Sequence, residues 1–302
     1  GTPDLLLPPG ADPHDFALRP SDAAALDTAD LVFWVGEALT PWLEAPLETL
    51  APDATKIALM QTEGWEALEF RDLAMIGAKA DDHDHDHGDH DHDHSDEHAH
   101  DDHDHDHSDD HAHDDHDHDH DHDHDHDHDH GAFDPHAWAD PTVAKVWVAN
   151  IAEALSVIDP DNAETYAANA AAAVARLDTL DAALAARLAT VAGASYILPH
   201  DGYHYFEARY GLTASGALAT GNAETPGPAQ VAALRAMMAD QNIACVFSDT
   251  SIPDRWAAIV VEGTAANTVP LDVVGLGLAA GPELYGAMMM RLGDSFTACL
   301  GQ

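Results

Sequence analysis

The fifty residues from Asp81 to His130 constrain this chain more than any other part of its sequence. They contain 21 His, 23 Asp and one Glu, and no Lys, Arg or bulky apolar residue. Such a composition cannot bury enough apolar surface to offset the entropy lost on ordering, so we expect a disordered insertion over residues 79–132. Because imidazole and carboxylate groups bind zinc and related metals, this His/Asp tract is predicted to collect metal ions weakly.

The rest of the chain offers few histidines for a specific metal site. Of the 25 histidines in the chain, only His14, His136, His200 and His204 lie outside the tract. Outside the tract there are also 32 Asp and Glu residues against 11 Lys and Arg residues. This balance argues against nucleic acid or an anionic membrane as partner and fits a protein that attracts cations, although a generic acidic surface would look the same.

The ends of the chain and its cysteines bear on its compartment. No run of about 20 apolar residues is present, so we expect no transmembrane helix. The chain opens at Gly1 without a signal peptide, and we expect a leader and some mature sequence to precede it. Cys245 and Cys299 are 54 positions apart. As a disulfide they would close a loop worth about 4 kcal/mol and indicate an oxidising compartment; two buried free thiols are the alternative.

Short apolar runs alternate with helical patterns in both halves of the chain, which predicts parallel βα units. We expect an α/β fold of two lobes joined by one long helix. That helix is predicted over Asp159–Val191, where apolar residues recur every three or four positions along about 45 Å; a coiled-coil dimer arm is the alternative. The predicted domains are therefore 1–158, 159–192 and 193–302. One strand of the second lobe is predicted over Leu212–Ser215.

Candidate metal ligands follow the predicted strands. His14 comes after a strand predicted over Asp4–Pro8, and His200 and Asp272 each follow a later predicted strand. The carboxyl ends of parallel strands line the crevice in which α/β proteins bind ligands. Together with His136, which precedes a predicted helix, these side chains could offer zinc three nitrogens and one oxygen. Each histidine could instead be structural, and Asp272 could pair with an arginine, cap a turn or leave the fourth position to water.

His204 lies four residues after His200, a spacing that would put both rings on one face of a helix. The Glu of an HExxH metalloprotease motif is missing, because Asp201 stands in its place. We therefore expect His204 to be an auxiliary residue near the ligands rather than a ligand. The enzymatic alternative is a metallohydrolase that uses His136, His200 and His204, with Asp201 or Glu207 as general base.

Four segments form a recognisable set in one order along the chain: Pro13–Asp22, Asp134–Pro141, His200–Glu207 and Leu271–Gly275. They are similar to the HDYSLRPSD, HxWLSP, HDAYGYFE and LDPLG segments of the ZnuA-like zinc-binding proteins. That family comprises the periplasmic solute receptors of bacterial zinc ABC importers, and the resemblance runs nearly end to end. It implies the metal-receptor type of periplasmic binding protein, with two α/β lobes joined by a long helix.

The resemblance also implies function. A member would bind Zn²⁺ in the periplasm and deliver it to the membrane permease of the importer, and it would not be an enzyme. We expect it to be a monomer and to use His14, His136 and His200 as zinc ligands. Cys245 and Cys299 match a pair that is joined as a disulfide in many such receptors.

Two departures and two alternatives accompany this prediction. Pro13 stands where some zinc receptors have Glu, which shifts the fourth position towards Asp272 or water, and His204 replaces a residue that is usually small. A periplasmic zinc buffer or metal-delivery protein is one alternative. A manganese-type receptor is the other, although such receptors commonly have Glu where His200 stands, and imidazole suits zinc better.

Overall fold

The fold is α/β, as predicted. The structure is a computed structural model that describes residues 2–8, 11–71, 73, 133–224, 226–249 and 252–301. The His/Asp tract, including its predicted disorder, lies outside the described residues. The helices are α1 (Pro20–Asp27), α2 (Glu44–Leu50), α3 (Pro141–Ile158), α4 (Ala163–Leu188), α5 (His204–Tyr210), α6 (Pro228–Gln241), α7 (Arg255–Val261) and α8 (Leu284–Leu300). The strands are β1 (Leu31–Trp34), β2 (Thr55–Ala58), β3 (Tyr196–His200), β4 (Gly216–Ala219), β5 (Cys245–Ser248) and β6 (Asn267–Pro270).

Two parallel sheets form separate halves of the fold. β1 and β2 pair in register from Leu31–Thr55 to Trp34–Ala58. The other sheet has the strand order β4-β3-β5-β6, and all of its pairs are parallel. We call the part of the chain before α4 the first half and the part after α4 the second half. Because β3 is interior and ends at His200, its carboxyl end faces the crevice in which such sheets place their ligands.

A long helix connects the halves. α4 contains 26 residues, which corresponds to about 39 Å. It packs against α3 in the first half and against α8 and α5 in the second. The predicted apolar stripe is confirmed, since Leu177, Leu184 and Leu188 are buried. The domain boundaries at residues 158 and 192 stay a prediction, because both halves belong to one compact unit.

Two predicted strands are wrong. Residues 4–8 are not extended into a sheet; Leu5 is 60% exposed, and residues 2–7 line an open apolar cleft of about 690 Å³ beside β1. A short apolar run can pack as a loop as readily as it can pair, and periodicity does not distinguish the two. The strand expected over Leu212–Ser215 instead lies at Gly216–Ala219, a Gly-Ala-Leu-Ala segment whose four residues are all buried.

α3 bears on the expectation that no helix spans a membrane. It has 18 residues and is apolar enough, by length and composition alone, to cross a bilayer. The core helix of a globular protein passes the same test, and α3 packs along α4, with Val143, Ala144 and Trp147 buried. The helix is therefore weak evidence for a membrane span.

Cys245 and Cys299 form a disulfide, as the resemblance implied. The bond joins the first residue of β5 to the end of α8, and both side chains are buried. It therefore fastens the last helix to an interior strand, at the end of that strand opposite to its carboxyl end.

Candidate metal centre

Three histidines that are distant in sequence come together. His14 lies in the loop before α1, His136 starts the short turn before α3, and His200 ends β3. One ring nitrogen from each lies within 4.8 Å of the other two. The Nε2 atoms of His14 and His136 are 3.2 Å apart. Zinc holds imidazole nitrogens at about 2.0–2.1 Å in a tetrahedron, which separates two such ligands by about 3.3 Å, so the spacing fits zinc.

Two of these rings are oriented by buried carboxylates. The Nδ1 atom of His136 lies 2.7 Å from Asp134 Oδ1, which also accepts the backbone N–H of His136. The Nδ1 atom of His200 lies 2.7 Å from Asp249 Oδ2, which also accepts the hydroxyl of Tyr203. A carboxylate at Nδ1 holds the proton there and leaves the Nε2 lone pair free for a metal.

The third ring is held differently. The backbone N–H of His14 donates to Asp12 Oδ1, and the carbonyl of Pro13 accepts the indole N–H of Trp42. Among the described residues, no carboxylate bonds the imidazole of His14. Burial, together with the nearby His136 and His200, lowers the pKa of His14 to about 3. His14 is therefore neutral, the state in which imidazole binds a metal.

The electrostatics of His200 are the opposite of those of His14. Burial favours the neutral ring, but the charge and hydrogen bond of Asp249 outweigh it and raise the pKa of His200. A dication at the three Nε2 atoms would therefore compete with a proton more at His200 than at His14.

The structure does not bring Asp272 into the group of three. Its Oδ1 accepts the backbone N–H groups of Val274 and Gly275, and its Oδ2 lies 3.3 Å from Arg291. Both alternative roles of Asp272, the turn cap and the arginine pair, are therefore observed. The role of Asp272 as fourth ligand stays a prediction, and it would require the carboxylate to leave these partners.

His204 also lies outside the group of three. Its imidazole hydrogen-bonds to the backbone of Glu69, and its Nδ1 is buried without a hydrogen-bond partner among the described residues. Burial lowers its pKa, and the charge of Arg71 adds to that effect. The auxiliary role expected for His204 stays a prediction.

Sequence reasoning missed Asp134 and Asp249. Asp134 could have been found, because it lies two residues before His136, within reach of the ring. Asp249 is 49 residues from His200 and carries no spacing signal. It follows β5, the neighbour of β3, so the carboxyl ends of adjacent parallel strands bring the two together.

Comparison with known proteins identifies the family of this chain. The model of the family described as "ZnuA: Zinc-uptake complex component A periplasmic" matches residues 1–299. The chain is 40% identical to the high-affinity zinc uptake system protein ZnuA of Paracoccus denitrificans, over all of this chain and 86% of that protein. It is 35% identical to the protein of the same name in Brucella suis, with the same coverage.

Solved structures share the fold. The periplasmic zinc-binding protein TroA from Treponema pallidum superimposes with a TM-score of 0.71 at 20% identity, over 98% of this chain and 89% of that chain. A zinc-bound deletion mutant of ZnuA gives 0.68 at 20% identity, over 98% and 88%. The family match over nearly the whole sequence, together with relatives at 35–40% identity, shows that this chain belongs to the ZnuA family.

Proposed function

We propose that this protein is a periplasmic receptor that binds Zn²⁺ through His14, His136 and His200 and delivers it to the permease of a zinc ABC importer. The observation that carries the proposal is the convergence of three imidazole nitrogens within 4.8 Å, two of them on rings held by buried carboxylates. Family membership supports the transport role. The disulfide supports a periplasmic location, because disulfides persist in oxidising compartments.

The site is suited to binding rather than turnover. His136 and His200 are each 1% exposed, so a metal held there is shielded from bulk water. A catalytic zinc needs an open position for water and a general base beside it. The two acids that could serve as that base, Asp201 and Glu207, are both ion-paired with Arg71. The fourth position is proposed for Asp272 or a water molecule.

Substitution of the ligands tests the proposal. Loss of a residue that hydrogen-bonds to a metal ligand typically lowers metal affinity 10–100-fold. His136→Ala and His200→Ala should each lower the zinc affinity of the tight site by more than that, and His14→Ala should also lower it strongly. Zinc affinity is measured by competition with a chelator strong enough to empty the weak sites. His204→Ala is the matched control and should change affinity much less. An equal loss in the control would make His204 a ligand.

Two further measurements address the transport role and the tract. A strain lacking this protein should regain zinc uptake at limiting zinc with the wild type and not with His200→Ala; a mere zinc buffer would not restore uptake. Deletion of Asp81–His130 should remove weak sites and leave the tight site nearly unchanged, because the three proposed ligands of the tight site all lie outside the tract. The comparisons favour neither the buffer nor the manganese-receptor alternative.

A further inference from the structure

Four residues of the first half are fastened to the region of the metal site, just before the His/Asp tract begins. We call Leu68–Arg71 the strap. The backbone N–H of Leu68 donates to the hydroxyl of Tyr205, and its carbonyl accepts the N–H of Asp134, the partner of His136. Glu69 forms an antiparallel bridge with Phe133. The strap therefore joins the two chain segments that flank the tract.

The remaining strap residues, Phe70 and Arg71, contact the second half. The ring of Phe70 lies against Gly221, where an added Cβ would come within 2.3 Å of it. The guanidinium of Arg71 donates from Nε to Asp201 Oδ1 at 3.1 Å and from Nη2 to Glu207 Oε2 at 2.6 Å. Its side chain is 20% exposed, whereas those of Asp201 and Glu207 are each 1% exposed.

The negative charges of Asp201 and Glu207 are balanced by Arg71. A buried carboxylate without a cation is strongly unfavourable, and in the described part of the chain the ion pairs of both run to Arg71. Glu207 is further held by the hydroxyl of Tyr196 and the N–H of Ala214. Asp201 has fewer bonds, since its Oδ2 is buried without a partner among the described residues. The backbone N–H of Asp201 donates to the carbonyl of Ala219, and the described side-chain bonds of Asp201 run to Arg71. Arg71 therefore holds the side chain of Asp201 more than that of Glu207.

Asp201 is the residue that follows His200. The chain turns there from β3 towards α5, and Gly202 comes so near that a Cβ on it would lie 2.2 Å from Nε2 of His200. Any displacement of Asp201 would therefore move the backbone beside the His200 ring. Since Arg71 belongs to the half that supplies His14 and His136, its ion pair fixes that half against the half that supplies His200.

We propose that Arg71 is a positioning residue of the zinc site, which holds Asp201, and through it His200, in register with the two histidines of the first half. The inference rests on the proposed function for its effect on zinc. Arg71 touches none of the three imidazoles in the described contacts, so its removal acts on where His200 lies.

The test compares Arg71→Gln with Arg209→Gln in the full-length protein. Arg209 is an apt control because it also pairs with a largely buried carboxylate, that of Asp181, and none of its described ion pairs is with the strap. Chelator competition should show about 10-fold weaker zinc binding for Arg71→Gln, with faster zinc release, and partial recovery in Arg71→Lys. Arg209→Gln should lower thermal stability without changing zinc affinity. Unchanged affinity in Arg71→Gln would overturn the proposal.

A double variant and an NMR measurement distinguish an effect on the position of His200 from a folding defect and from a failure of the proposed function. If Arg71→Gln fails to fold, Arg71→Gln with Glu207→Gln removes one unpaired buried charge, and it should fold and still bind zinc weakly; wild-type affinity in that variant would overturn the proposal. NMR of the metal-free protein should show a shift of the ring ¹⁵N signals of His200 in Arg71→Gln, with those of His14 unchanged. That result is independent of zinc, whereas weak zinc binding by the wild type would refute only the proposed function.

Discussion

His136 and His200 differ from His14 in what holds the ring. Each of the first two is 1% exposed and has a carboxylate 2.7 Å from Nδ1. His14 is only partly buried, and the bonds that place it are made by the backbone of its loop, through Asp12 and Trp42. The difference shows that carboxylates orient two of the three rings, whereas the third is placed by the backbone of its loop.

Among the changes that test this comparison while leaving the three imidazoles in place, breaking the carboxylate contacts should have the largest effect. Asp249→Asn and Asp134→Asn keep the shape of the side chain but remove the charge that holds the Nδ1 proton, so zinc affinity should fall 10–100-fold in each. Asp12→Asn is the matched control, because an amide oxygen still accepts the backbone N–H of His14. It should change affinity far less. Equal losses in all three variants, measured by chelator competition, would show that the comparison is wrong.

The difference between the histidines should also appear on titration. Burial lowers the pKa of His14 to about 3, whereas Asp249 raises that of His200 against the effect of burial. A raised pKa means that the ring gains its proton at a higher pH than a free imidazole. As the pH falls from 8 to 5, His200 should therefore become protonated while His14 stays neutral.

NMR of the ring protons in metal-free protein checks this expectation. Deletion of Asp81–His130 removes the overlapping signals of the tract, and His14→Gln and His200→Gln assign the two rings. The zinc affinity should decline with falling pH because the proton competes at His200. Protonation of His14 at a higher pH than His200 would contradict the expected order of titration.

The smallest effect on zinc should come from the disulfide. Replacement of both Cys245 and Cys299 by Ser should lower the free energy of unfolding by about 4 kcal/mol, measured by denaturant titration. Zinc affinity should not change, because Cys245 opens β5 and Asp249 follows its other end, about 13 Å away along the strand. A loss of affinity in the refolded variant would show that the strand end near the site depends on the bond.

Much of this molecule follows from its sequence, and the failures have physical causes. The alternation of apolar runs and helices predicted the parallel sheets, and the apolar stripe predicted α4, because both patterns reflect which face is buried. β4 was misplaced because Gly216 and its alanines have low strand propensity and are selected by the space beside β3. The run at residues 4–8 was misread because apolar content alone does not supply a neighbouring strand.

In the candidate site, too, some residues could be predicted from the sequence and others could not. Few histidines lie outside the tract, so the candidates could be found by elimination. The partners Asp249 and Arg71 could not, since their contacts with His200 and Asp201 arise only when distant segments meet. Asp272 was predicted as a ligand from its place after a strand, but the same place lets it cap the following turn.

The contact between Phe70 and Gly221 limits how this chain can evolve. The backbone of Gly221 adopts no left-handed conformation, so a side chain there is disfavoured by lack of space, chiefly beside the aromatic ring, with the carbonyl oxygen of Asp201 3.3 Å from an added Cβ. Homologous chains that carry a larger residue at position 221 should therefore have a smaller one at position 70, and the two positions should covary across the family.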